Sequence, residues 1–378
     1  MVTQYDVFTK LIEKGTSKES ELGFAKPVYA HLENLMEKRW VRKQENAYSP
    51  VLSQETKNVF AIIKYSLKNN LNYNLFFSKN ISTIIQELSE NTPNIRPDKL
   101  KGNKDILEIL NYLEMHQFIL IEMKKPARGI LLNHQLLVNI LALHSIEHNW
   151  YKHSFNIEYS KCLKLKAEPI NPFSDKIFAF LAGSAQLEGS TVSIGETRDI
   201  ILHDIYPQKP QKDIQMVKNL NEALQYILEH FDEKITPEHI KEINKLVLFS
   251  MHRHAGKYKI TQNKIQGNSH FKTASPTEVE NLMNQYSQDI SQIHSKEDCL
   301  EKLGYIHNQL QYIHPFADGN SRTTRMVLNW MCMKHSIPII TIKMGCFDEY
   351  MNLTKLSKTR NDLELTYLFW RLLLHESF

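Results

Sequence analysis

The stretch His314-Pro315-Phe316-Ala317-Asp318-Gly319-Asn320-Ser321-Arg322-Thr323-Thr324-Arg325 decides how the rest of the chain is read. Apolar residues recur at helical spacing before it (Leu303, Ile306, Leu310) and after it (Val327, Leu328, Met331), so it is a loop that opens a helix. Gly319-Asn320 lets the backbone approach a ligand closely. The N-terminus of the following helix presents free N–H groups to an anion. Arg322 and Arg325 lie three apart on the first turn, so both can reach the same anion. Arginines at a helix N-terminus oppose the macrodipole; stability alone disfavours them there, whereas a polyphosphate favours them. Asp318 is one hard oxygen ligand, suited to Mg²⁺ shared with phosphates. His314 titrates near neutrality and suits a general base. The competing reading makes His314 a core histidine and Asp318 a helix-capping carboxylate.

This string resembles the signature of the Fic family, H-x-F-x-[D/E]-G-N-G-R-x-x-R, and departs from it at Ser321. Upstream, Ser184-Ala185-Gln186-Leu187-Glu188-Gly189 resembles the family's inhibitory motif, [S/T]-x-x-x-E-[G/N]. Ala255-Gly256-Lys257-Tyr258-Lys259 through Gly267 resembles the segment leading into the target-docking flap. The similar part spans about 174–378, with an inhibitory helix at about 174–189, which would make it a class II member.

The resemblance implies a helical core with a short β-hairpin flap that transfers AMP from Mg-ATP to a Ser, Thr or Tyr hydroxyl of a target protein. His314 would deprotonate that hydroxyl. Asp318 would hold Mg²⁺. Gly319, Asn320 and Ser321 at the helix start, with Arg322 and Arg325, would bind the phosphates, Arg325 taking the γ-phosphate. Tyr350 and Asn352 would line the adenine pocket. Glu188, within the motif from Ser184 to Gly189, would hold Arg325 away from the γ-phosphate. In class II relatives the same glutamate orients a water for deAMPylation. Ile260 to His270 would pair with an extended target segment by strand addition. Transfer of UMP or phosphocholine is the rival within enzymes. The rival of another class is a DNA-binding transcriptional regulator with an inactive core.

Ser321 bears on that rival. A left-handed backbone there would cost serine about 1–2 kcal/mol; an N-cap position would favour it. Lys259 stands where the family often has arginine, and no role follows for it from the sequence.

Residues 1–133 read as short helices followed by hairpins, twice over. Tyr5, Phe8 and Leu11-Ile12 mark one helix; Thr16 or Ser17 caps the next; a third starts near Lys26-Pro27 and carries Val28, Leu32 and Leu35 on one face. Trp40-Val41, the tip Gln44-Glu45-Asn46, then Tyr48 and Val51 make a hairpin. Shifting by 78 residues places Leu32 on Leu110, Leu35 on Leu113, Trp40 on Phe118 and Val41 on Ile119, as an internal duplication would. Helix–helix–helix–hairpin resembles the winged helix, in which the third helix enters the DNA major groove and the wing touches phosphates. Lys26 and Tyr29 lie on the first reading helix, Arg42 and Lys43 on its wing, and Lys124, Lys125 and Arg128 on the second wing. Glu33 and Glu37 count against DNA, and a protein-contact or homodimer surface is the competing use.

Charge is asymmetric in the same direction. Residues 1–133 hold 19 Lys and Arg against 15 Asp and Glu, whereas the remainder holds 27 of each, so the excess positive charge lies in the first third. The expected architecture is mainly α: winged-helix-like modules at 1–52 and 53–133, a helical connector at 134–173, and a Fic-like domain at 174–378. No apolar run reaches the length of a membrane span. The opening MVTQYDVFTK lacks the features of a secretory signal, and the four scattered cysteines fit a reducing cytosol. A cytoplasmic protein is expected, with export as an effector by a signal-independent route left open.

Overall fold

Helix starts are set by short polar side chains. Thr3 opens α1 (Gln4–Lys14) with a reciprocal pair, its amide donating to Asp6 Oδ2 at 2.7 Å and its Oγ1 accepting from the Asp6 amide at 3.3 Å. Ser53 does the same for α3 (Gln54–Lys68) with Thr56. Between them lie a 3₁₀ turn at Glu19–Leu22, α2 (Tyr29–Glu37), and the antiparallel strands β1 (Val41–Gln44) and β2 (Ala47–Pro50). The second of the three expected helices is thus one 3₁₀ turn. Val7, Phe8, Leu11, Leu32, Leu35, Trp40 and Tyr48 form the small core beneath this hairpin.

The structure is a computed structural model and describes residues 2–69, 71–91, 104–122, 128–132, 134–148, 155–263, 272–354 and 360–376. After α3 come α4 (Tyr73–Phe76), α5 (Lys79–Asn91), α6 (Lys104–Met115), the antiparallel pair β3 (Ile119–Glu122) and β4 (Arg128–Leu131), α7 (Gln135–Leu143) and α8 (Phe155–Leu163). The spacing of 78 recurs in the backbone: α2 and α6 end 78 residues apart, and β1 and β3 begin 78 apart. Each helix exit turns on a left-handed residue, Arg39 (φ 59°) and Gln117 (φ 57°). Each then closes the same hydrogen bond, Trp40 N to Leu35 O at 3.0 Å and Phe118 N to Leu113 O at 2.8 Å. Among the duplicated basic residues, Lys124 and Lys125, with the side chain of Arg128, lie outside the described residues.

The remaining elements are α9 (Asp175–Gln186), α10 (Ile194–His203), α11 (Gln211–Glu229), α12 (Pro237–Val247), α13 (Val279–Ser291), α14 (Lys296–Ile313), α15 (Asn320–Lys334), α16 (Phe347–Thr354) and α17 (Asp362–Glu376). Their apolar faces, including Leu303, Ile306, Leu310, Trp330 and Trp370, make one large core. The chain divides into two compact units, Met1–Asn91 with Leu100–Leu110 and Gln135–Asn149, and Thr92–Lys99 with Asn111–His134 and Trp150–Phe378. That division leaves 52/53 inside the first unit, passes within one residue of 133/134, and divides both the module expected at 53–133 and the connector expected at 134–173. The second hairpin belongs to the unit that holds α9–α17, because Leu120 and Leu132 enter its core. Gln117 fastens it there: Nε2 donates to Thr341 O at 3.0 Å, and Oε1 accepts from the Lys343 amide at 2.7 Å. The described residues are mainly α with two small antiparallel hairpins. Among the described residues no helix is long and apolar enough to cross a membrane, and all four cysteines are buried free thiols.

Candidate active site

α14 ends on Ile313 and hands the chain to His314, a left-handed cap with φ 47° and ψ 59°. The loop then runs to Gly319, the N-cap of α15, also left-handed at φ 74°. Glycine is required there: a Cβ would sit 3.0 Å from both Asn244 Nδ2 and Leu248 Cγ, on top of the unfavourable φ. Ser321 follows inside the helix with ordinary helical backbone, so it is neither strained nor the N-cap. Both alternatives weighed from the sequence are therefore superseded. The left-handed position is Gly319, which carries no side chain to strain.

Two asparagines hold the loop shut. Asn320 Oδ1 accepts from the Phe316 amide at 2.9 Å, while its Nδ2 donates to Phe316 O at 2.8 Å. Asn244 on α12 donates to Asp318 O and Thr323 Oγ1, each at 3.1 Å, and accepts from the Gly256 amide at 2.9 Å. Phe316 is buried and bridges to Tyr258 as a single β-bridge. The sequence offered no sign of the part played by Asn244, which comes from 74 residues away.

The two arginines diverge. Arg325 is buried, its side chain 3% exposed; it donates from Nε to Ser184 Oγ and from Nη2 to Ser184 O, both at 2.9 Å, and from Nη2 to Glu188 Oε1 at 2.8 Å. Burial alone would lower its pKa, but the Glu188 carboxylate and the Tyr350 hydroxyl outweigh that and raise it. Glu188 lies on the turn after α9, which ends at Gln186, and Gly189 completes that turn at φ 91°. The expected helix over 174–189 is thus a helix followed by a turn. α9 approaches the Ile342 backbone so closely that a Cβ on Gly183 would lie 2.6 Å from Ile342 O.

Arg322 is buried too, yet of its guanidinium nitrogens only Nη2 has a partner among the described residues, Asp318 Oδ1 at 3.5 Å. Nε and Nη1 are buried with none. Such donors are costly unless something accepts from them, and they lie on the first turn of α15, where the helix N–H groups are also free. An anion is the kind of group that suits such donors. Asp318, 55% exposed on its side chain, accepts from the Gly319 amide at 2.6 Å.

His314 is mostly buried, and its Nδ1 has no hydrogen-bond partner among the described residues. Burial, followed by the nearby Lys259 charge, pushes its pKa down to about 4, against opposing pulls from Asp318 and Glu188. The imidazole is accordingly neutral at physiological pH and free to take a proton.

Tyr350 is placed differently from the sequence expectation of an adenine wall. It is buried, its hydroxyl bonded to His307 Nε2 at 2.7 Å and to Arg325. His307, wholly buried, has its pKa pushed down to about 3 by that burial. Arg325 is therefore held from two sides. Ile260 projects from the flap region, 85% exposed; residues 264–270 of the expected docking segment lie outside the described residues. Near the N-terminus, Lys26 before α2, Tyr29 at its first position, and Arg42 and Lys43 on β1 are all exposed.

Residues 234–332, which include the whole loop and most of α15, match the family model described as the Fic/DOC family. Over that stretch the chain is similar to Fic domains. The protein adenylyltransferase Fic of Nematostella vectensis is 32% identical over 188 residues, covering 46% of this chain and 42% of that protein. The protein adenylyltransferase fic-1 of Caenorhabditis elegans is 27% identical over 183 residues, covering 46% of this chain and 35% of its own length. The chain thus spans less than half the length of these curated relatives. A solved Fic domain containing signaling protein from Bacteroides thetaiotaomicron is 24% identical, with 59% of this chain and 91% of that one covered at a TM-score of 0.47. Ser184–Gly189 precede the matched stretch, so what they do to Arg325 is read from geometry.

Proposed function

We propose that the Fic domain transfers AMP from Mg-ATP to a hydroxyl side chain of a protein, and that Glu188 restrains it. The buried Arg322 donors without acceptors, at the open end of α15, carry this reading, because a polyphosphate is the anion that satisfies them. Asp318 fits a cation shared with that polyphosphate. It is a half-exposed carboxylate, and among the described residues no cluster of three His, Cys, Asp or Glu holds a metal unaided. Mg²⁺ would supply charge neutralisation on the phosphates. Neutral His314 takes the proton of the target hydroxyl as its oxygen bonds to the α-phosphorus and the bond to the β-phosphate oxygen breaks, releasing pyrophosphate. Gly319, Asn320 and Ser321 present the helix N-terminus, and Arg322 meets the phosphates. Ile260 and the residues after it are the docking edge for an extended target segment.

Arg325 is the residue the γ-phosphate needs, and Ser184 and Glu188 occupy it. This is the class II arrangement, and the same carboxylate orients a water for removal of AMP from modified target. Incubation of the full chain with Mg-ATP and a lysate tests transfer: a mass increment of AMP on protein hydroxyls is expected, absent in His314→Ala. Absence of any adduct even with Glu188→Gly would overturn it in favour of an inactive core.

For the N-terminal part we infer a winged-helix-like use. Exposed Lys26, Tyr29, Arg42 and Lys43 cluster on one helix–hairpin unit in the third of the chain that carries the excess positive charge, and double-stranded DNA is the partner that suits them. A surface for a protein or a second copy of the chain is the outcome if DNA fails to bind.

A further inference from the structure

Lys259 is an odd residue to find buried. Only 4% of it is exposed, and among the described residues no carboxylate lies within ion-pair distance of its ammonium. Its Nζ donates instead to Thr273 Oγ1 at 3.0 Å and to the carbonyl of Ile313 at 3.2 Å. Its own amide donates to the carbonyl of Pro315 at 2.8 Å. One residue therefore grips the peptide carbonyls on both sides of His314. Between those grips His314 holds the left-handed backbone that a non-glycine residue avoids. The neighbouring bridge from Tyr258 to Phe316 keeps Lys259 in register with the loop. Gln262 secures the anchor, its Nε2 donating to Thr273 Oγ1 at 2.7 Å.

We propose that Lys259 is the positioning residue of His314: its side chain and amide clamp the strained turn that presents the imidazole, and its ammonium, which has no carboxylate partner among the described residues, adds a like charge to the burial of that ring. The inference rests on His314 being the base. A neutral residue would serve as a clamp if only hydrogen bonds were needed; a buried ammonium with no counter-ion does more, because it opposes any second positive charge beside it. The charged groups bearing on the imidazole are Lys259, which disfavours its protonation, and Asp318 and Glu188, which favour it. The Gln311 backbone also favours the protonated form. Burial opposes proton uptake most, and Lys259 is the charge that adds to it, so its removal leaves burial alone against the groups that promote protonation.

The test compares Lys259→Met and Lys259→Arg with the parent, each as the full chain, by AMP incorporation with Mg-ATP from pH 3.5 to 7.5, a range that brackets the acid limb of His314 and stays below the pKa of Lys259. For Lys259→Met we expect kcat to fall ten- to a hundredfold at neutral pH, KM for ATP to stay within about threefold, and the acid limb to move to higher pH. The sign follows from charge: without the ammonium His314 holds its proton more tightly, so more alkaline solution is needed to free the base. Lys259→Arg keeps charge and donors, and should keep the acid limb in place. Parental kcat with an unmoved limb in Lys259→Met would overturn the inference. So would an equal loss at every pH accompanied by a lowered melting temperature, the mark of a merely structural lysine. His314→Ala in the parent separates the two layers: retained transfer removes the base and this inference with it, whereas lost transfer beside a parental Lys259→Met overturns this inference alone.

Discussion

Replacing Glu188 by glycine removes one partner of Arg325 and leaves the others. The bond lost is charge-assisted, 2.8 Å long, between a buried guanidinium and a carboxylate 27% exposed. Such bonds contribute about 1.5–3 kcal/mol net. At about 1.4 kcal/mol per factor of ten, Arg325 becomes about 10- to 150-fold more available to a γ-phosphate, with the partial exposure of Glu188 favouring the lower end. Transfer should rise by that factor where Arg325 release limits it. The melting temperature should fall somewhat, but the chain should stay folded, because Ser184 Oγ and O still accept from Arg325 at 2.9 Å and Tyr350 still touches it. The assay is the initial rate of AMP incorporation into the chain itself, with melting temperature measured alongside. Removal of AMP from modified protein should be lost in the same variant. A folded Glu188→Gly protein with parental rates in both directions would refute the reasoning, since the contact would then be a structural ion pair with no claim on the reaction.

Further expectations follow from other parts of the molecule. Gly319→Ala places a methyl against Asn244 and Leu248 at φ 74°, so it should cost about 1–2 kcal/mol and weaken nucleotide binding; a parental melting curve and affinity would count against the loop geometry. His116, His307 and His314 have pKa values pushed by burial to about 4, 3 and 4. Stability from these groups is present above the unfolded value of about 6.5 and is lost as pH falls through the folded values. The melting temperature should therefore drop between pH 7 and pH 4, and a flat profile would contradict their burial. Charge reversal of Arg42 and Lys43 in the full chain should weaken binding to duplex DNA and flatten its salt dependence. A gel shift with no complex at low salt would reject DNA.

The signature loop was legible because its chemistry is local: histidine, acid, glycine and two arginines fall within twelve residues, and a helix N-terminus gives them a common purpose. The partner of Arg325 was legible only through the family resemblance, since Ser184 and Glu188 approach from 141 and 137 residues away. Nothing in the sequence placed Tyr350 against His307, or assigned Lys259 to the carbonyls around His314; these are pairings across packed helices that periodicity does not encode. The repeat of 78 was legible from four apolar positions and recurs in helix ends, strand starts and left-handed exits. Its two copies nevertheless have different fates. Both hairpins carry the same kind of apolar residue at their start, Trp40 and Phe118, but Gln117 in the second is spent on Thr341 and Lys343. A surface turn and a buried fastening look alike in sequence when the other half of the contact lies more than two hundred residues on.

Arg325 explains why restraint can be built into this site at low cost. Pairing a buried guanidinium is strongly favoured, because leaving its donors unmet is expensive. Without nucleotide, Ser184, Glu188 and Tyr350 do that pairing. Under the proposed function the γ-phosphate does it in the productive state. Inhibition is then the same solution to burial that the resting site requires, rather than an added lock, and Arg322 differs by keeping two donors unmet. The two arginines should separate in binding measurements. Arg322→Ala should weaken nucleotide binding whether or not Glu188 is present. Arg325→Ala should leave the binding of ATP by the parent nearly unchanged, yet abolish the gain that Glu188→Gly brings in transfer. Titration calorimetry and AMP incorporation with Mg-ATP on the parent, the three single variants and the doubles Glu188→Gly/Arg322→Ala and Glu188→Gly/Arg325→Ala distinguish them. Equal losses of affinity from both arginine variants in the parent would show that Arg325 already serves the nucleotide at rest, and would remove the basis for calling the Glu188 contact inhibitory.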